Sequence, residues 1–230
     1  RKPIPAFYGN QSGMWGRSPF AVIQSNFVDI VWVEQSHCYQ RPLDPDIQAF
    51  STLLWKVGRA ASHYEKAVWA LEYQAGRGNA WPYGFGADKR YPTALANAEA
   101  IANGGVQCQT WVATPYNNQA ISEALLDGHR HHAHFVDRHR GLFVDRTSVA
   151  DHALIYSIPS FFWRNCYRLG LANSPCLDHF GATGRLLEDE HIPYNVVILG
   201  HEDVYDDTQD LDSLDQYKTL ILPHADCISD

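Results

Sequence analysis

Two glutamates in the first third of the chain each end a run of apolar and aromatic residues. Glu34 closes the run Asp29–Glu34 (DIVWVE), and Glu72 lies near the end of the run Ala67–Gln74 (AVWALEYQ). A carboxylate at the end of a buried strand costs free energy unless it is paired or used in chemistry. An ion pair with an arginine is the simplest explanation for one such glutamate. Two of them on successive strands favour a shared catalytic site.

Paired carboxylates are the groups that hydrolyse glycosidic bonds. One donates a proton to the leaving oxygen, while the other attacks the anomeric carbon or activates a water. Side chains that suit sugar hydroxyls or stack on the apolar faces of sugar rings are dense around Glu34 and Glu72, the candidate catalytic residues. The candidate substrate-binding residues are Asn10, Gln11, Trp32, Trp69, Gln74, Arg77 and Trp111. This set predicts a site for a carbohydrate substrate.

The elements that would position these residues alternate between strands and helices. The strand candidates are rich in Val, Trp, Tyr and Phe and apolar on both faces, which is typical of a parallel sheet covered by helices. They are Ile4–Gly9, Asp29–Glu34, Ala67–Gln74 and Val106–Thr114, with helical stretches at Pro19–Phe27, Asp46–Tyr64, Thr93–Asn103 and 116–140. Their centres are roughly 24 to 40 residues apart, near the ~31 of a (β/α)₈ barrel unit. Residues 1–140 are therefore predicted to form the C-terminal half of a TIM barrel.

A second α/β block follows from about residue 147. It offers strands at Asp151–Ser157, Asn195–Leu199 and Thr219–Leu222, with helical stretches at Phe161–Leu169 and Leu177–His191. This order with short loops predicts a doubly wound, flavodoxin-like three-layer domain over residues 147–230, the architecture shared with class I glutamine amidotransferases. The turn after the first of these strands lacks G-x-G-x-x-G, so no dinucleotide is predicted, and no other cofactor is.

Two further groups of side chains, histidines and cysteines, are of types that can bind metals or act as nucleophiles. Five histidines lie close together, but no carboxylate or cysteine stands at a familiar ligand spacing, so a solvated or interface helix face is favoured over a metal site. They are His129, His131, His132, His134 and His139. The five cysteines are scattered without a C-x-x-C, which predicts reduced thiols and slightly favours a cytoplasmic location. Cys227 lacks the flanking glycines of a nucleophile elbow, so thiol chemistry is disfavoured.

Three stretches of the second half carry a family resemblance. ADHALIYSIPS (150–160), GRLLEDEHIPYNVVIL (184–199) and LDQYKTLILPHADCIS (214–229) resemble the middle, trimerisation-type domain of the family 42-type β-galactosidases. The first half is similar to the end of the barrel that precedes this domain, with DIVWVEQ, WALEYQ and ANGGVQCQTW similar to strands six, seven and eight.

The resemblance implies a retaining glycosidase with a nucleophilic glutamate on strand seven, which by position is Glu72. It also implies an acid/base glutamate after an Asn on strand four. Asn10-Gln11 has Gln in its place and lies too close to Glu72 for that strand, so the acid/base is expected upstream of residue 1. Glu34 is then a substrate-binding or pKa-tuning residue, or the acid if the acid lies within this chain. A homotrimer is implied as well.

Charge and hydropathy exclude several classes of protein. A net charge of −8 argues against a nucleic-acid partner, and no apolar run approaches the ~20 residues of a membrane span. The chain opens at Arg1 and closes on a strand-like run, so we expect a piece of a longer protein. The alternatives to a hydrolase of β-linked sugars are a non-catalytic carbohydrate-binding or assembly protein with a degenerate barrel, and a metal hydrolase that uses the histidines.

Overall fold

The computed structural model describes residues 7–10, 20–35, 52–72, 90–108, 123–165, 175–200 and 205–227. These residues form an α/β protein with two parallel sheets. The first sheet lies in the first half of the chain and the second sheet in the second half. The described segment 143–151 joins them without a helix or strand of its own.

The first sheet has four parallel strands in the order in which they occur along the chain. The strands are β1 (Phe7–Asn10), β2 (Ile30–Gln35), β3 (Ala67–Glu72) and β4 (Gly105–Cys108). The helices of this half are α1 (Phe20–Gln24), α2 (Thr52–Ala60), α3 (Arg90–Ala102) and α4 (Glu123–Arg138), and a 3₁₀ turn follows at Arg140–Leu142. The described strands form an open sheet and do not close into a barrel.

The second sheet has three parallel strands with the first one in the middle, in the order β6-β5-β7. The strands are β5 (His152–Ser157), β6 (Tyr194–Leu199) and β7 (Thr219–Ile221). The helices are α5 (Ile158–Asn165), α6 (Pro175–Asp189) and α7 (Thr208–Asp212), with a 3₁₀ turn at Leu214–Gln216. Each predicted strand of both halves overlaps an observed strand, and α5 begins three residues before the predicted stretch Phe161–Leu169.

Helix α2 packs against both sheets. On the side of the first sheet, a Cβ on Gly58 would lie 2.9 Å from Val68 Cγ1 and 3.1 Å from Val33 Cγ1, so the helix lies almost directly on β2 and β3. On the side of the second unit, a Cβ on Gly184 of α6 would lie 2.9 Å from Leu53 Cδ2. The close contacts of α2 with the first sheet and with α6 therefore each require a glycine, Gly58 in the first case and Gly184 in the second.

The two halves share one hydrophobic core. A single cluster of buried side chains runs from β2 and β3 through α2 to α6, β5 and β6. Its members include Val31, Trp55, Val68, Tyr156, Phe180 and Val196. A smaller cluster on the opposite face of the second sheet contains Ala153, Ile155 and Val197. The second half thus buries much of its apolar surface against the first, as expected for units that fold as one body.

Gly105 at the start of β4 offers a direct test of this packing. A Cβ there would overlap the ring of Trp55, which is completely buried. We expect Gly105→Ala to lower the free energy of unfolding by about 1–3 kcal/mol, because the core must shift to admit one methyl group. Urea denaturation followed by tryptophan fluorescence measures the change.

Gly181→Ala in α6 is the matched control. A Cβ at Gly181 meets no atom within 4 Å, so this variant should be neutral or more stable by up to about 1 kcal/mol. Equal effects of the two substitutions would show that β4 does not pack on Trp55 as described.

Candidate functional site

The carboxyl ends of β1, β2 and β3 bring three predicted site residues to one edge of the first sheet. Asn10 ends β1, Glu72 ends β3, and Glu34 is the next-to-last residue of β2. Because the strands are parallel, their carboxyl ends meet at the same edge, which is where barrel enzymes carry their catalytic groups. The predicted residues Gln11, Gln74, Arg77 and Trp111 lie outside the described residues.

The register of β2 and β3 determines which positions share a face. Trp32 is paired with Trp69, and both side chains are half-buried. Glu34 is paired with Leu71, whereas Glu72 is paired with Gln35. A shift of one residue along a strand moves a position to the other face of the sheet. In a regular pleat, position 34 therefore shares the face of Trp32, whereas position 72 lies on the opposite face.

That opposite face packs against a helix. Val33 and Val68 are buried there beneath Gly58 of α2. The backbone thus brings Glu34 and Glu72 to one edge but assigns their positions to different faces. The prediction that the two carboxylates share one catalytic cleft stays a prediction.

The carboxyl edge of the second sheet holds a second group of polar residues. The chain leaves β5 toward β6 on one side and returns to β7 on the other, so the point between β5 and β7 is the topological switch point, where open α/β sheets bind ligands. A small pocket opens there. Its lining includes Ser157, Ser160, Phe161, Phe180, Pro223 and His224.

The two serines of this pocket hold the loop that follows β7. Ser157 Oγ donates a hydrogen bond to the carbonyl oxygen of Cys227 at 2.9 Å, and the backbone N–H of Cys227 donates to Ser160 Oγ at 2.8 Å. The backbone N–H of Ser160 in turn donates to Ser157 Oγ at 3.2 Å. Both serine side chains are buried. Their hydroxyl groups are therefore engaged in the fold, which argues for anchoring and against nucleophilic chemistry.

Imidazole groups lie at the mouth of the same pocket. His224 has a left-handed backbone (φ 52°), and its Nδ1 lies 3.4 Å from Asp226 Oδ2. The ring of His179 from α6 stands edge-on to that of His224, with centroids 4.4 Å apart. Cys227, the next residue along the chain after Asp226, is a half-buried free thiol. The arrangement fixes the loop by ring and charge contacts as well as by the two serines.

Some histidines of α4 pack against neighbouring residues, whereas others are exposed to solvent. The Asn97 amide donates a hydrogen bond to His129 Nδ1 at 2.9 Å and so ties α4 to α3. Burial lowers the pKa of His129 and of His132, whereas His131 and His134 are exposed. Within the described part of the chain, no group of three or more His, Cys, Asp or Glu side chains is arranged to hold a metal ion.

The sequence reasoning missed two buried polar clusters at the junction of the two halves. Glu188 of α6 accepts a hydrogen bond from the Tyr194 hydroxyl, and Asp210 of α7 accepts one from the Tyr205 hydroxyl. Hydrophobic periodicity could have indicated the first cluster. Glu188 follows Phe180, Gly184 and Leu187 at helical spacing and therefore belongs to the buried stripe of α6.

The sequence matches no protein-family model and no curated protein. Among the helices that the structure describes, none is both long and apolar enough to cross a bilayer.

Ser160 tests the anchoring of the loop after β7. Ser160→Ala removes the acceptor of the Cys227 N–H, so we expect a loss of about 1–3 kcal/mol in the free energy of unfolding. We also expect faster alkylation of Cys227 by iodoacetamide, because the loop opens more often. Mass spectrometry of the peptide that carries Cys227 isolates this thiol from the others.

Ser148→Ala serves as the control, since Ser148 is exposed and its change should stay within about 0.5 kcal/mol. If Ser160→Ala leaves the alkylation rate of Cys227 unchanged, the serines do not hold the loop.

Proposed function

We propose that this chain is part of a glycoside hydrolase that cleaves a β-linked sugar by a retaining double displacement. The observation that carries the proposal is the placement of Asn10, Glu34 and Glu72 at the carboxyl edge of a parallel sheet whose strands follow chain order. Successive strands of a (β/α)₈ barrel have this arrangement. We infer that residues 1–140 are the C-terminal half of such a barrel.

Two carboxyl groups have different roles in the reaction: one is the nucleophile, and the other is the acid/base. In the first step the nucleophile, Glu72 in this proposal, attacks the anomeric carbon while an acid protonates the departing oxygen. A glycosyl-enzyme ester results. In the second step the same acid residue, now ionised, removes a proton from water, which attacks the anomeric carbon and releases the nucleophile. Glu34 is the candidate for the acid/base within this chain, and a glutamate upstream of residue 1 is the other.

Tryptophans on the first sheet supply a surface for the sugar. Trp32 and Trp69 are paired across β2 and β3 and half-buried, so each retains exposed indole surface. Indole faces stack on the apolar faces of sugar rings. Glu34, two residues after Trp32, occupies a position on the same face. This favours a contact of Glu34 with the sugar whichever glutamate is the nucleophile.

The register also favours a second candidate function. Position 72 falls on the helix-packed face in a regular pleat, so the second candidate is a carbohydrate-binding or assembly protein with a degenerate barrel and without catalysis. Such a protein would bind sugar through the tryptophan face and hydrolyse none of it.

The second half fits an assembly role in either case. We infer that residues 147–230 form a flavodoxin-like unit of the trimerisation type, and the strand order β6-β5-β7 supports this. Leu220 and Leu222, in and directly after β7, are 41% and 45% exposed, so they offer apolar surface to a neighbouring subunit. The proposal needs no cofactor, nucleic acid or membrane.

Charge-removing substitutions at the two glutamates test the mechanism. We expect Glu72→Gln to lower the hydrolysis of aryl β-glycosides by roughly 10³-fold or more, because no ester can form. In Glu72→Ala, added azide should restore turnover and yield the glycosyl azide of inverted configuration. Glu34→Gln should also lose activity, but any glycosyl azide that it forms should keep the configuration of the substrate, because azide then attacks the glycosyl-enzyme ester on Glu72.

Glu65→Gln is the control. Glu65 is exposed and lies just before β3, at the opposite end of the strand from Glu72, so its activity should equal that of the wild type. Unchanged turnover in Glu72→Gln contradicts the assigned nucleophile. Binding on a glycan array with no hydrolysis by the full-length wild-type protein contradicts the hydrolase and supports the carbohydrate-binding protein.

A further inference from the structure

Two tyrosine–carboxylate pairs hold α2 to the second half of the chain. Near the middle of α2, Tyr194 Oη donates to Glu188 Oε1 at 2.6 Å. Beyond its carboxyl end, Tyr205 Oη donates to Asp210 Oδ2 at 2.7 Å and also lies 3.3 Å from the carbonyl oxygen of Ala60. Both pairs lie at the junction of the two sheets, where they contact the single hydrophobic core.

The Glu188 cluster is short of compensating positive charge. The ammonium group of Lys56 in α2 donates a hydrogen bond to the backbone oxygen of Tyr194 at 2.7 Å and lies 4.7 Å from the centre of the Tyr194 ring. Among the described residues, no ion pair reaches the Glu188 carboxylate. The other charged groups that face it are Glu99 of α3 and Arg185 of its own helix.

Burial dominates the ionisation of Glu188. Removal from water raises the pKa of this carboxyl group to about 7, although the hydrogen bond from Tyr194 and the charges of Lys56 and Arg185 act the other way. The nearby carboxylate of Glu99 adds to the increase. Burial also lowers the pKa of the Lys56 ammonium. Ionised groups are thus disfavoured on both sides of this contact.

The Asp210 cluster is arranged in the same way. Asp210 is only 5% exposed, and His63 Nε2 lies 3.1 Å from its Oδ2. Gln24 of α1 contacts His63 Nε2 at 3.2 Å and donates to the carbonyl oxygen of Asp206 at 2.7 Å. Burial raises the pKa of the Asp210 carboxyl, against hydrogen bonds from Tyr205, His63 and the Ile198 N–H and the charge of His63.

Tyrosines complete the surroundings of Asp210. The Tyr64 hydroxyl donates to the carbonyl oxygen of Val196 at 2.9 Å and so connects the end of α2 with β6. Tyr64 and Tyr217 both face Asp210, and its charge contributes to raising the pKa of each of them. When protonated, His63 forms an ion pair with Asp210.

We propose that the junction between the two halves is a pH-dependent clasp. In mildly acidic solution the Glu188 carboxyl is protonated, and α2 holds β6 closely. In alkaline solution Glu188 ionises in an apolar junction, and the contact loosens. Burial also disfavours the ionised form of Asp210, at the other end of the junction. The inference does not depend on the proposed hydrolase activity.

The sign of the pH dependence follows from linkage. A carboxyl group whose pKa is higher in the folded state than in the open state binds its proton more tightly when folded. For Glu188 the stabilisation is fully present below its ordinary value of 4.5 and is lost as the pH rises through about 7. A carboxylate in an ordinary ion pair has a lowered pKa and stabilises the folded state as the pH rises. A loss of stability with rising pH therefore distinguishes the clasp from an ordinary ion pair.

Hydrogen exchange of the complete chain measures the opening of the junction. After correction for intrinsic exchange, we expect the opening constant of the β6 amides to rise roughly 10- to 100-fold from pH 5 to pH 8. Glu188→Gln keeps an acceptor for the Tyr194 hydroxyl but cannot ionise, so its rise should be several-fold smaller. The control Glu190→Gln, an exposed neighbour on the turn after α6, should follow the wild type.

Either of two results overturns the proposal. One is a Glu188→Gln variant whose β6 amides show the same rise with pH as those of the wild type. The other is a wild-type opening constant that stays constant or falls from pH 5 to pH 8. The second result needs no variant, so the test stands even if Glu188→Gln does not fold.

Discussion

Helix α2 packs between two sheets and supplies buried side chains to both of them. A helix on the outside of a sheet normally presents one apolar face to the protein and one polar face to water. Here Leu53, Leu54, Trp55 and Val57 are all buried, because one side of α2 contacts β2 and β3 and the other contacts α6 and β6. Two sheets that would each expose a large apolar face alone instead cover the same helix. The two sheets of the described residues therefore share one main hydrophobic core.

Burial of α2 on both sides explains the unusual polar groups at the junction. Helices that are apolar all round are held in place by shape alone, whereas α2 also contributes Lys56 and, just beyond its end, His63 and Tyr64. A buried carboxyl group that accepts a hydrogen bond from a tyrosine hydroxyl has a polar partner and does not require a full counter-charge. Such contacts fix the position of the helix along and around its axis, because each hydroxyl reaches one acceptor in one geometry.

Much of the fold could be predicted from the sequence, and the reason lies in its strands. Runs such as DIVWVE and NVVIL are apolar on both faces, so they predict parallel strands covered by helices, and the structure pairs them in parallel. The edge that gathers Asn10, Glu34 and Glu72 follows from the same rule. Their relative faces could not be predicted without the register, because Glu34 stands two positions after Trp32 whereas Glu72 stands three positions after Trp69. That difference acquires meaning only once the register pairs Trp32 with Trp69.

The contact of Leu53 with Gly184 links segments that lie far apart along the chain. Gly184 has no room for a side chain because Leu53 Cδ2 and the Tyr194 hydroxyl already fill the space, at 2.9 and 3.3 Å from where a Cβ would stand. A larger residue at position 184 requires the Leu53 side chain to shift or a smaller residue at position 53. Substitutions at positions 53 and 184 are therefore expected to be coupled, although the two residues lie in different halves of the chain. Replacing one half with that of another protein would require matching changes in α2.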